Sequence, residues 1–573
     1  MRVRRVQIER FRGIKWLDWS VDGDFVCLIG AGDSTKTTIL DAIEAALLPR
    51  WSYPFDDTDF FDADTSQPIR VVLTIGDLPD ELKSDTKFGL HTRGWSSAGD
   101  LHDEPAEHDE LVLSVRLLVD ESLEPAWTVV NDRTPDGVRI GWRDREKISC
   151  ARLGEAFDRH FSWGRGSVLG RLTEKGGSLS GLLAEAGRAA RSALSSDTSG
   201  KLKPLQDTAK QAEQVGERFG VRRRASYAPS LEAQALSLNL GGFGLYDGDI
   251  PLRRLGLGSR RLLAVAMQRE ATIGHGVALI DELEHGLEPH RQRRAVRLLR
   301  QPVGGGSTGQ LVMTTHSPTV LSELDCEEIR IVRSEDGMTR ILKVEKILHP
   351  VVLKSSDAFF GRKVLVCEGK TELGLCRELD EWWSAAGPSF ALSGVALADG
   401  GGSDAPSRAT ALADLGYEVA LLADSDCDLT PSPQELAAAG VLVIQWAGAC
   451  STEERLALDL PWAGLTELLA LAAEHRSALS VRDAVAARLG CGGTGLPVEP
   501  SDWRDSGFAE LDIRRAIGAA AKKQKNGKRD GWFKTVYLGE ELGRIVVSHH
   551  AELACTDSAV KVGLLRSWAH ADE

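Results

Sequence analysis

Four acidic residues in two short stretches have the types and spacing to bind divalent metal. Glu368 and Glu372 lie in VLVCEGKTE (Val364–Glu372), where an apolar run with the character of a buried strand gives way to a turn and the first turn of a helix. A later apolar run, ALLADSDCD, closes on Asp424 and Asp426, two residues apart and so expected on one face of a strand end. Clustered carboxylates repel one another unless a cation lies between them, and hard oxygen donors suit Mg²⁺ or Mn²⁺. Two such ions activate water and steady the leaving oxygen of a phosphodiester. A third apolar run, VLVIQWAG, leads to Ser451-Thr452-Glu453-Glu454. Either glutamate there could complete the metal shell, with Glu453 the candidate ligand, although Ser-x-x-Glu is equally a helix capping box. Lys534, in GWFKTVYLGEEL after the basic run Lys522, Lys523, Lys525, Lys528 and Arg529, is the candidate cation for the transition state.

A second constellation suits nucleotide chemistry. The loop Gly30-Ala31-Gly32-Asp33-Ser34-Thr35-Lys36-Thr37-Thr38 lies between a strand and a helix, where backbone N–H groups cradle phosphates. Lys36 is placed to neutralise the β and γ phosphates of ATP and Thr37 to ligate Mg²⁺; Gly30, Gly32, Ser34, Thr35 and Thr38 complete the cradle. Thr35 stands where a glycine is usual, which favours nucleotide binding over fast turnover. The run Val277–Glu282 is a buried strand ending in Asp281, suited to the Mg²⁺ water shell, and Glu282, suited to polarising the attacking water. His316 closes LVMTTHSP, another apolar strand, as a sensor of the γ phosphate, and LRRLGLGSRRLLAVAM offers Gly258 and Ser259 in a glycine-containing helix entry.

These groups require two α/β frameworks. Strand, turn, strand, loop and helix open the chain, β-rich sequence continues to about residue 142, and helical spacing dominates 151–220. Strands resume at GVALIDE and QLVMTTHS. From FFGRKVLV onward the alternation of strand and helix predicts parallel strands with ligands at their carboxyl ends, and the tail beyond about 455 reads as mainly helical. The expected division is 1–150 and 221–350 for one ATPase unit, 151–220 for a helical insert within it, and 356–573 for a second catalytic unit with its helical extension.

The 573 residues suffice for several cores, and 42% hydrophobic with 27% charged residues is ordinary for a folded protein. A net charge of -15 argues against coating nucleic acid through bulk electrostatics, leaving local basic patches at Arg222–Arg224, Arg291–Arg294 and Lys522–Arg529. The nine scattered cysteines include no C-x-x-C pair, so reduced thiols and no zinc site are expected. No apolar run reaches the roughly 20 residues of a membrane span and no signal peptide is evident, which predicts a cytoplasmic protein.

The order FRG, phosphate loop, Leu255–Ser259, IDE strand and THSP resembles the ABC ATPase heads of recombination and chromosome-maintenance proteins. That resemblance implies a homodimer in which Gly258 and Ser259 of one subunit cap the ATP of another. Glu368 with Asp424-x-Asp426 resembles the TOPRIM domain. The combination is similar to the OLD (overcoming lysogenization defect) nucleases, a family that includes the nuclease subunit of Gabija-type phage defence systems. It implies an ATP-binding, metal-dependent DNA endonuclease regulated by its ATP site, dimerised through its heads and helical insert, with a role in antiviral defence and a possible helicase partner. Two other readings fit the same residues: an SMC-like DNA-binding repair or structural ATPase whose TOPRIM acids are inactive, and an effector that cleaves RNA.

Overall fold

The computed structural model describes residues 1–573 apart from 50–52, 85–86, 155–156, 164–166, 174–184, 187, 190–191, 193–200, 219–220, 223, 230–242, 273–275, 302–308, 493–494, 523–530 and 572–573. Apolar residues three and then two apart in strand Arg2–Phe11 bury Val3, Val6 and Ile8, and a register shift between Val3 and Arg5 absorbs the irregular first interval. This strand pairs antiparallel with Ile14–Ser20 and Ile69–Gly76, and Glu110–Val119 continues the antiparallel half. The other half is parallel and runs Cys150–Leu153, Val277–Ile280, Gln310–Thr314, Phe25–Ile29, Ile329–Glu335. Its central strands are buried along nearly their whole length, which explains their unbroken apolar sequence. Among the described residues the two halves form one mixed sheet of fourteen strands.

Of the insert expected over 151–220, Lys203–Arg218 is a helix; the run LLAEAGRAARSAL falls largely outside the described residues. So do Arg223, Lys523, Lys525, Lys528 and Arg529 of the expected basic patches. On helix Pro289–Arg300, Arg291 is paired with Glu288 and Arg293 with Glu323. No helix among the described residues is long and apolar enough to cross a membrane.

A second sheet has four parallel strands in the order Val395–Asp399, Lys363–Cys367, Glu418–Ala423, Val441–Gln445. The chain moves to one side of Lys363–Cys367 and then to the other, so a topological switch point falls between the carboxyl ends of Lys363–Cys367 and Glu418–Ala423, where open α/β sheets hold their ligands. Helices Trp462–Arg476, Ala478–Leu489, Glu510–Ala521, Val536–Ser548 and Asp557–Ala569 make up the expected helical tail. Val536–Ser548 crosses Lys370–Ser384 so closely that a Cβ on Gly374 would lie 2.1 Å from the Val536 carbonyl, and one on Gly539 would lie 2.5 Å from that of Thr371.

The two sheets share a hydrophobic core. Ile329, Ile331, Leu348, Val351 and Phe359 pack in one cluster with Val364, Val366, Leu412, Tyr417 and Val419. Arg333 bridges the sheets: its Nε donates to the Leu415 carbonyl at 2.9 Å and its guanidinium lies 4.0 Å over the Tyr417 ring, whose hydroxyl donates to the Phe359 carbonyl at 2.7 Å.

Candidate functional site

Strand Phe25–Ile29 delivers the loop Gly30–Thr35 to helix Lys36–Leu47. Gly30 is needed for close approach, because a Cβ there would lie 2.6 Å from the Val332 carbonyl of the neighbouring strand. Thr35 adopts a left-handed backbone (φ 65°) where glycine is unstrained, and its hydroxyl lies 3.4 Å from that of Thr339. Ser34 and Lys36 are buried; the Lys36 ammonium donates to the Gly30 and Ala31 carbonyls and the Ser34 hydroxyl at 2.8–3.1 Å, and burial lowers its pKa. Gly32 and Thr37 are exposed and Thr38 half-buried. Thr37 Oγ1 donates to Asp281 Oδ1 at 3.3 Å, so helix start and strand end meet as the motif order requires.

Glu282 follows Asp281 in a left-handed conformation (φ 46°), a strained backbone for a side-chain-bearing residue. Its N–H donates to Thr314 Oγ1 and its carbonyl accepts from Arg261, a wholly buried guanidinium that also reaches the Gly154 and Asp281 carbonyls. His316 is exposed beyond strand Gln310–Thr314, its backbone N–H held at 2.6 Å by Glu284, which also accepts from Thr315. Ser259 is exposed near the start of helix Leu257–Thr272, whereas Gly258 packs against the Gly286 carbonyl, 2.7 Å from where its Cβ would stand. Two cavities lie beside the Arg12–Asp41 ion pair. One, of about 750 Å³, is lined by Arg12, Tyr53, Asp56, Asp59, Phe60 and Asp62; the other, of about 460 Å³, by Thr37, Asp41, Arg152, Arg261, Asp281 and Glu282. Arg12 belongs to the FRG stretch, whereas Arg152, Arg261 and Glu284 have no motif in the sequence that would single them out.

At the switch point of the second sheet, Glu368 directly follows Lys363–Cys367 and accepts the Asp424 N–H at 2.8 Å. Strand Glu418–Ala423 ends one residue before Asp424, so the D-x-D pair lies in the turn and its convergence does not come from strand alternation. The turn itself positions the pair: Asp424 Oδ1 accepts from the Thr452 N–H and hydroxyl at 2.8 and 2.9 Å, and Asp426 is ion-paired with Lys522. Ser451 and Glu454 form the capping box of helix Thr452–Asp459, which leaves Glu453, wholly buried, to face the acids. Lys534 Nζ lies 2.8 Å from Glu453 Oε1, and Glu453 Oε2 is buried without a hydrogen-bond partner. Glu372 is buried and accepts the Gly369 N–H at 3.0 Å.

The electrostatics follow from this crowding. The Asp424 carboxyl is pushed up to about 9 by burial first, then by the charges of Glu372, Glu453 and Glu368, against the pull of Lys534. Burial also raises Glu368 and Glu372. Lys534, desolvated but facing Glu453, Glu372 and Asp424, has its pKa raised and keeps its proton. Among the described residues no three His, Cys, Asp or Glu side chains stand ready as a metal cage, and the two lysines lie at the carboxylates where a cation would bind. The donors nonetheless fit one: Glu368, Glu372, Asp424, Asp426, Glu453 and Glu454 outnumber Lys522 and Lys534, all are hard oxygen ligands, and two buried carboxylate oxygens, Glu372 Oε1 and Glu453 Oε2, have no hydrogen-bond partner.

Two family models match parts of the chain. Residues 194–322 match the family described as "AAA domain, putative AbiEii toxin, Type IV TA system", a segment that holds Gly258, Asp281, Glu282 and His316 but not the phosphate loop. Residues 359–426 match "Overcoming lysogenization defect protein-like, TOPRIM domain", which holds Glu368, Glu372, Asp424 and Asp426. No curated protein matches the chain. Among solved structures, the SmcHead bound to the C-winged helix domain of ScpA is 14% identical, with 60% of this chain and 98% of that chain covered at a TM-score of 0.33. The SMC head domain from Thermotoga maritima is 12% identical, with 60% and 100% covered at a TM-score of 0.30.

Proposed function

We propose that this chain, an ATPase domain followed by an OLD-like TOPRIM domain as in the OLD-family nucleases, is an ATP-binding, divalent-metal-dependent DNA endonuclease whose ATP site regulates cutting. The observation that carries this reading is the convergence of Glu368 on Asp424, with Glu372, Asp426, Glu453 and Lys534 around them, at the switch point of a parallel sheet.

Divalent ions held by Glu368 and Asp424, with Glu372, Asp426 and Glu453 in reach, would supply Lewis-acid activation of water and charge neutralisation at the phosphodiester. Lys534 offers a fixed positive charge to the oxygens that gain charge as the bond breaks. In the ATPase domain, Lys36 and the loop N–H groups would hold the phosphates, and Thr37 and Asp281, which meet at 3.3 Å, would hold the Mg²⁺ of the nucleotide. Glu282, held by Arg261 and Thr314, would accept a proton from the attacking water, His316 would sense the γ phosphate, and the cavity at Arg12 and Tyr53 offers room for the nucleoside end. Exposed Ser259 suits a signature acting on a second copy in a homodimer. The domain division is that of the sequence reading: 1–150 and 221–350 around the 151–220 insert, then 356–573. Control of cutting by the ATP site, a place in phage defence and a helicase partner come to this reading from the family resemblance.

Plasmid DNA incubated with Mg²⁺ or Mn²⁺, with and without ATP, tests the activity. The wild-type chain should nick or linearise the plasmid, ATP should change the rate, and Asp424→Ala should leave the DNA intact. Binding of DNA without cleavage under every condition would instead favour the structural ATPase, and cleavage of tRNA in place of plasmid the RNA effector.

A further inference from the structure

Arg152 stands on the edge strand Cys150–Leu153, opposite Leu279 of strand Val277–Ile280, which runs directly into Asp281. Its Nη2 lies 2.8 Å from Asp281 Oδ2 and 3.0 Å from Asp41 Oδ1, the residue is 7% exposed, and its Nη1 is buried without a hydrogen-bond partner. Asp281 Oδ1 meanwhile accepts from Thr37 at 3.3 Å and Thr314 at 2.6 Å. The carboxylate assigned to nucleotide-bound magnesium is therefore already balanced by a buried guanidinium. Asp41 is shared in turn: its Oδ2 accepts from Arg12, which also holds Asp59 at 2.8 Å. Asp281, Arg152, Asp41, Arg12 and Asp59 thus form a chain of alternating charge from the cavity at Thr37 to the cavity at Tyr53.

A buried cation this close to Asp281 opposes a divalent ion approaching the same carboxylate, because charges separated by a few ångströms interact strongly where water is scarce. We propose that Arg152 is a positioning residue that serves as the counter-cation of Asp281, so that the site rejects free divalent metal and accepts it only together with the nucleotide phosphates. This rests on the reading of Thr37 and Asp281 as the magnesium side of a nucleotide site. Asp41 sets the strength of the effect by drawing part of the guanidinium's charge away from Asp281.

The test uses the full-length chain and the fluorescence of MANT-ADP titrated with Mg²⁺, a signal that metal bound at the TOPRIM acids does not produce. Arg152→Met, which keeps the stem and removes the charge, should lower the half-saturating Mg²⁺ concentration about tenfold. Arg152→Lys should stay near wild type, and Asp41→Asn, which leaves Arg152 wholly to Asp281, should raise the concentration. An unchanged or raised requirement in Arg152→Met overturns the proposal. If that variant does not fold, an unchanged or lowered requirement in Asp41→Asn does so. Failure of the wild-type chain to bind MANT-ADP at all would overturn the nucleotide reading and the proposal with it, whereas binding whose Mg²⁺ dependence ignores Arg152 overturns the proposal alone.

Discussion

On the proposed nuclease reading, Asp424 and Lys534 have distinct and separable tasks. Replacing Lys534 with Met should lower DNA cleavage at least about 100-fold, the cost of losing one transition-state charge partner, while Mg²⁺ still raises the melting temperature. Asp424→Ala should abolish both cleavage and that metal-dependent rise, as thermal melts with and without Mg²⁺ would read out. Similar melts for Asp424→Ala and wild type in Mg²⁺ would remove this residue from the metal site. In the other domain, Arg261→Met frees the Glu282 carbonyl and should slow ATP turnover more than it weakens MANT-ATP binding, as Glu282→Gln also should. Much of this was legible in the sequence, because Asp281, Glu368 and Asp424 each directly follow an apolar run that reads as a buried strand, and Lys36 follows the glycine-containing loop after another. The roles of Arg152, Arg261 and Glu284 were not. Their partners lie many residues away along the chain, and a single Arg or Glu without periodic company looks the same whether it caps a carbonyl or points to solvent.

Between elements, position comes from close approach. Gly374 and Gly539 let Val536–Ser548 lie nearly on the backbone of Lys370–Ser384, and Thr371 ties down the chain just ahead of Lys534 by donating to the Phe533 carbonyl at 2.8 Å. The lysine on the lead-in to one helix thereby meets the acids at the start of the other. Gly374→Ala inserts a methyl where backbone must yield and should destabilise the fold by about 1–3 kcal/mol. Urea titration measures that cost, and DNA cleavage should fall while MANT-ADP affinity stays at the wild-type value. Equal loss at both sites would mean that the crossing serves general stability alone. This contact hides from sequence inspection because a glycine inside a helical pattern reads first as a weakness of the helix. The D-x-D turn is a related case: alternation placed both aspartates on a strand, whereas pairing stops at Ala423 and hydrogen bonds to Thr452 orient Asp424.

Across the whole molecule, the ATPase sheet and the TOPRIM sheet are joined by one apolar cluster and by Arg333 lying over Tyr417. Differential scanning calorimetry of the chain should therefore give a single transition that MANT-ADP shifts upward as a unit. Arg333→Ala removes the stacked guanidinium and its bond to the Leu415 carbonyl, and should broaden or split that transition. A wild-type chain that already melts in two steps, with only the first moved by nucleotide, would show that the halves fold independently.

The shared cluster bears on how such a protein could arise. Cutting the chain between the sheets would bare Leu348, Val351 and Phe359 on one fragment or leave Leu412, Tyr417 and Val419 uncovered on the other, and greasy surfaces of that kind aggregate. A gene fusion that brought a nuclease cassette beside an ATPase would have gained little until this seam was resurfaced. The residues along it, more than the clustered acids, are then what commits the two halves to one another.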